Sequence, residues 1–203
     1  ALAQQEMLAR CAADPLAYKG ALGYMPEAFS LPDYLTGQEF LEYVARLHDL
    51  SLPVAQEGIR EGLVRFDLLE RRTDLINAYS KGMRQKTAFL AATMHEPRLL
   101  LLDEPLIGVD PQGQVRLKEV VRALAAKGSG VLVSTHMLDT AERLCDHIAI
   151  MHRGHAVAIF PQVLFQRRHV HVALEGQVCG RVPGVGRGQV HGLGAGLLDV
   201  GAG

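Results

Sequence analysis

Apolar residues run without a break from Leu99 to Leu102 and stop at Asp103, Glu104 and Pro105. A short continuous apolar run ending in a turn signal predicts a strand buried on both faces. Val131–Val133, followed by Ser134, Thr135 and His136, predicts a second such strand. Between them the pattern becomes helical, and residues 112–127, behind Pro111, predict a helix. Upstream, Phe40, Leu41, Val44 and Leu47 recur at helical spacing behind the capping-box pair Thr36 and Glu39. Further helix is expected to about Glu70, interrupted near Gly62. Ser80 predicts the cap of a helix reaching Met94 and stopped by Pro97. "ALGYMPE" reads as a short strand entering a loop at Pro26, and residues 1–13 have helical composition, closed by Asp14 and Pro15. After His136 come a helix near Met137–Cys145 and "HIAIMHRGHAVAI", a strand, a turn at Gly154 and another strand. Strands alternating with helices predict an α/β fold with a parallel sheet.

Composition bounds the rest. The 203 residues suffice for one domain with a sizeable core, or a domain and a tail. A formal charge of −1 gives no reason to expect a nucleic-acid surface. Cys11, Cys145 and Cys179 are odd in number and lack metal-ligand spacing, which suits a reducing compartment. No apolar run approaches the ~20 residues of a membrane helix. From Gly176 on, ten of 28 residues are glycine and Asp199 is the sole acid, a composition that suits disorder. The expected organisation is a domain over residues 1–159, with a helical subdomain at about 33–96, and a Gly-rich, disordered tail over 160–203.

The candidate chemistry sits at strand ends. In open α/β sheets ligands gather at the carboxyl ends of the strands. Asp103 there suits Mg²⁺, a hard cation that keeps its waters and takes few carboxylates. Glu104 can polarise a water. Ser80 and Gly82 open a helix, where free N–H groups and the helix dipole favour an anion. Taken singly, each residue has a plainer reading: Glu104 as a turn-capping acid, His136 as a structural histidine, Ser80 as an N-cap, Glu27 as a surface acid after proline.

Their order along the chain decides between the readings. "YSKGMRQK", "LLLLDEP", "LIGVDP" and "VLVSTH" resemble the signature motif, the Walker B strand with its catalytic glutamate, the D-loop and the switch histidine of ATP-binding-cassette (ABC) ATPases. "LGYMPE" falls where that family has its Q-loop. The resemblance covers about Asp14 to Ile159 and is closest to bacterial exporter-type subunits. It implies a P-loop NTPase-like sheet with a helical subdomain and ATP hydrolysis with Mg²⁺. Catalysis falls to Glu104 and His136, and nucleotide contact to Ser80, Lys81, Gly82, Met83 and Asp110. Asp103 takes the metal, with Glu27, at the Q-loop position, as a second possible ligand. The motifs depart from the common form: Tyr79, Lys81 and Met83 replace a leucine, a glycine and a glutamine, and Glu27 replaces glutamine. The resemblance also implies partners: ATP, a second ATP-binding subunit in a head-to-tail homo- or heterodimer, and a transmembrane permease. That permease would hold the subunit at the cytoplasmic inner face of the membrane. No nucleic acid is expected.

One element is missing. A phosphate-binding loop reads GxxxxGK[ST], and none of Lys19, Lys81, Lys86, Lys118 and Lys127 lies between a glycine and a hydroxyl residue. The expectation is an N-terminally truncated family domain that grips ATP weakly. Its leucine strand is expected to risk an exposed sheet edge, with self-association as the result. Two other readings follow: a catalytically incompetent fragment or docking-only subunit, and a chromosome-maintenance or repair ATPase. The last would need long coiled-coil insertions, whereas only about fifty residues without heptads separate Glu27 from Ser80.

Overall fold

The computed structural model describes residues 14–152, 155–161 and 170–175. The helices are α1 (Pro15–Gly20), α2 (Gly37–Leu47), α3 (Leu52–Arg65), α4 (Lys81–Thr93), α5 (Pro111–Ala126) and α6 (Leu138–Leu144). The strands are β1 (Leu22–Met25), β2 (Leu99–Asp103), β3 (Gly130–Ser134), β4 (His147–His152), β5 (His155–Pro161) and β6 (Val170–Glu175). They form one sheet in the order β1-β2-β3-β6-β4-β5. Every neighbouring pair is parallel except β4 and β5. The helix at residues 1–13 and the turn at Gly154 lie outside the described residues.

Local chemistry accounts for the helix starts. Thr36 accepts from the Glu39 N–H and the Glu39 carboxylate reaches back to the Thr36 N–H, closing the expected capping box. Ser80 Oγ accepts from the Met83 N–H at 3.2 Å, and Asp110 accepts from the Gly113 N–H at 2.9 Å. Helices α2 and α3 and the short turns Leu69–Arg71 and Ile76–Ala78 lie beside the sheet, joined to it by α4. That helix buries Phe89 completely, edge-on to Phe66 at 5.9 Å between ring centroids.

Four expectations meet a different structure. Helix α3 passes through Gly62 without a break and ends at Arg65, capped by Phe66. Gly62 serves close packing there, because a Cβ on it would stand 2.7 Å from Leu90 Cδ2. The leucine strand is not at a sheet edge: β1 pairs with one side of β2 and β3 with the other. Nor is that strand buried on both faces. Met25, Leu100, Leu102, Val131 and Val133 are almost fully covered, whereas Tyr24 and Leu132, on the other face, are 58% and 43% exposed. Finally, the sheet continues beyond Ile159, since β5 runs to Pro161 and β6 inserts between β3 and β4. The alternating "VHVALE" of β6 has strand composition that the glycines following it obscure. Residues 176–203 lie outside the described residues.

Candidate functional site

The register of the parallel strands gathers the candidate residues. Asp103 pairs with Ser134 and Met25 with Leu102, so β1, β2 and β3 end together. Asp103, Glu104 and His136 therefore lie at one rim of the sheet, with Glu27 on the loop leaving β1 at the same rim. Ser134 donates its hydroxyl to Asp103 Oδ1, which fixes one carboxylate oxygen and leaves the other available.

Glu104 is the most constrained of them. Its N–H donates to the Ser134 carbonyl at 3.0 Å. Its Oε1 accepts from the His136 N–H at 2.8 Å and lies 2.7 Å from His136 Nδ1, while Oε2 accepts from Thr135 Oγ1 at 3.2 Å. The Glu104 side chain is largely buried and His136 is 63% exposed. The carboxylate is thus held by the segment that follows β3, beside a histidine that is open to an incoming ligand.

The second group lies at the start of α4. Ser80 and Lys81 are exposed and Gly82 and Met83 half-buried. The N–H groups of Lys81 and Gly82 have no partner within the helix, whereas that of Met83 is taken by Ser80 Oγ. Gly82 packs on the loop that follows β2, where a Cβ would meet the Gly108 carbonyl oxygen at 2.6 Å. Gly108 has φ of +75° and rests against the Lys81 stem. Gln114 Nε2 donates to the carbonyls of Leu106 and Val109, tightening the same loop. Asp110 caps α5 and its carboxylate pairs with the Lys86 ammonium. The Lys86 hydrogen bond, with the Gly113 N–H, holds the Asp110 carboxyl below its usual range.

The structure thus brings Asp103, Glu104 and His136 together, and Ser80–Met83 together with Asp110. Glu27 is exposed and makes no hydrogen bond to either group among the described residues. Both Asp110 oxygens are engaged within the chain, one by the Lys86 ammonium and one by the Gly113 N–H. Four residues that the sequence reading passed over complete the site: Ser134 and Thr135, which orient the acids, and Gln85 and Lys86 on α4. The signal for the first two was a pair of hydroxyl residues ending an apolar strand. For the other two it was polar residues at core positions of a helix.

Residues 4–107 match the family model described as ABC transporter. The uncharacterized ABC transporter ATP-binding protein all4389 of Nostoc sp. is 37% identical over 141 residues, 68% of this chain and 42% of that protein. The linearmycin resistance ATP-binding protein LnrL of Bacillus subtilis is 35% identical, over 70% of this chain and 45% of its own. A solved structure of an ATP binding subunit of an ABC transporter superposes with a TM-score of 0.71 at 36% identity, over 74% of this chain and 63% of that one. The chain spans about half the length of the curated relatives it matches.

Proposed function

This chain belongs to the ABC transporter family, and from that premise we propose that it acts in the ATP-hydrolysing subunit that powers a separate transmembrane permease. The observation that carries this reading is the Glu104 carboxylate, fixed at the end of β2 between His136 and Thr135 and next to Asp103. Glu104 is the general base. Its Oε1 is shared by two donors of His136, so a rotation of that exposed ring frees one acceptor position for a water. The ring is then available to donate to a terminal phosphate. Ser80, Lys81, Gly82 and Met83 form the anion-binding start of α4, aimed at the nucleotide of a second ATP-binding subunit in a head-to-tail dimer.

Mg²⁺ fits the acids present, because it takes one or two carboxylates and leaves its other positions to water and phosphate. Asp103, with one oxygen not taken by Ser134, would hold it, and Glu27, at the same rim, is the second candidate. When bound, the ion would neutralise charge developing on the phosphate oxygens. Through the permease the subunit sits at the cytoplasmic face of the membrane.

A second reading is a docking-only subunit. Phosphate release from millimolar Mg·ATP separates the two. The hydrolytic reading expects slow release that Glu104→Gln lowers by about 10²–10⁴-fold, the worth of a general base. Release that is absent, or unaltered by Glu104→Gln, favours the docking-only reading.

A further inference from the structure

The middle of α4 carries three consecutive polar residues inside the core: Gln85 is 3% exposed, Lys86 8% and Thr87 0%. Thr87 bonds its own helix, donating to the Met83 carbonyl at 2.9 Å. The other two reach out of the helix. Gln85 Nε2 donates to the Glu104 carbonyl at 3.3 Å, and Lys86 Nζ pairs with the Asp110 carboxylate. The ties therefore grip the two ends of one seven-residue loop, Glu104 to Asp110.

Burying an amide and an ammonium is costly, and leucine or methionine would fill the same space without that cost. The surroundings are nonetheless shaped for them. Gly113 has no side chain where a Cβ would stand 2.7 Å from Lys86 Cε, and Gly82 admits the Gly108 carbonyl against the same helix. Lys86 and Asp110 also join an almost buried cation to a half-exposed acid, so the pair is anchored on the α4 side. The loop end at Glu104 is in a left-handed conformation, φ 45°, which needs outside support to persist.

We propose that Gln85 and Lys86 are positioning residues: they bind loop 104–110 to the first two turns of α4, so that the Ser80–Met83 end and the Glu104 carboxylate move as one body. The catalytic meaning of this tie rests on the hydrolytic reading above. In a head-to-tail dimer the Ser80 end faces the partner's nucleotide while Glu104 serves the chain's own. The tie then fixes the Ser80–Met83 end relative to the Glu104 carboxylate.

Amide hydrogen exchange on the whole 203-residue chain, without nucleotide, tests it. The reporters are Ile107 and Val109, whose N–H groups bond to the carbonyls of Glu104 and Leu106, compared with Val121 and Leu124 of α5. Lys86→Met is expected to speed Ile107 and Val109 at least ~10-fold over the α5 amides, as a local opening does. Lys86→Arg should restore the slow exchange. Unchanged loop exchange in Lys86→Met overturns the proposal, as does equal acceleration of loop and α5, which would make the lysine a mere support of the fold. Lys86→Arg behaving like Lys86→Met overturns it too. Where Lys86→Met fails to fold, Asp110→Asn cuts the pair from its exposed end and retains a good N-cap residue. It should show the same selective loop acceleration, and its absence overturns the proposal. Because no ATP is involved, this test and the phosphate-release assay fail independently.

Discussion

Glu104 holds φ at 45°, a conformation that costs a residue with a side chain about 1–3 kcal/mol. The hydrogen bonds from Gln85, Thr135 and His136 keep it there. Glu104→Gln retains the backbone and an acceptor oxygen, so its urea midpoint should stay near that of the parent while phosphate release falls. Gly82→Ala behaves oppositely. Its new Cβ meets the Gly108 carbonyl oxygen, a backbone atom that yields only if loop 104–110 moves. We expect a loss of about 1–3 kcal/mol, seen as a melting midpoint several degrees lower. Asp110 supplies a pH dependence. Its carboxyl is held below the usual range by Lys86 and Gly113, so its contribution is complete above the ordinary aspartate pKa. That contribution is lost as pH falls through the lowered value. Asp110→Asn should therefore flatten the acid limb of a stability-against-pH curve.

At the scale of elements, α4 joins the helices to the sheet, and its C-terminal end is pinned as firmly as its start. His95, just beyond that end, stacks on His48 at the end of α2, with ring centroids 3.7 Å apart and planes within 10°. His95 Nε2 lies 3.2 Å from the Leu22 carbonyl of β1, and Nδ1 is buried without a partner among the described residues. Lys19 and Asp49 line the same apolar cleft of about 700 Å³ between β1, α2 and α4. Burial, then the neighbouring His48, lowers the His95 pKa. The unfolded chain takes up a proton near pH 6.5 that the folded ring resists, so stability falls as pH drops from there through the lowered value. Urea unfolding at pH 7.5 and 5.5 should show this loss in the parent and a smaller one in His95→Gln. An equal loss in both would place the effect elsewhere.

For the whole molecule, the grip on nucleotide is the quantity to measure. A phosphate loop supplies several charge-assisted hydrogen bonds of about 1.5–3 kcal/mol each. Without three of them, affinity drops more than about a thousandfold. Millimolar Mg·ATP should then move the melt of this chain by no more than about 2 °C, whereas saturation at a hundred times Kd would stabilise it by about 2.7 kcal/mol, a shift of roughly 5–10 °C. A shift of that size would mean that other residues of the chain replace the loop.

The sequence by itself determined what is local. Strand ends, caps and helix periods are written in neighbouring residues, so Thr36, Ser80 and the run Leu99–Asp103 announced their elements, and the order of five short motifs announced the family. The placement of the two candidate acids at a strand end was legible for the same reason, since both close one apolar run. Tertiary structure decided what depends on residues far apart. The placement of β6 between β3 and β4 follows from pairing over some forty residues, which no local pattern encodes. The open face bearing Tyr24 and Leu132 depends on which helices cover the sheet, and a continuous apolar run does not record that. The same holds for Gln85 and Lys86. Their polarity is visible in the sequence, but their burial, and the loop ends they hold, exist only once α4 lies beside residues 104–110.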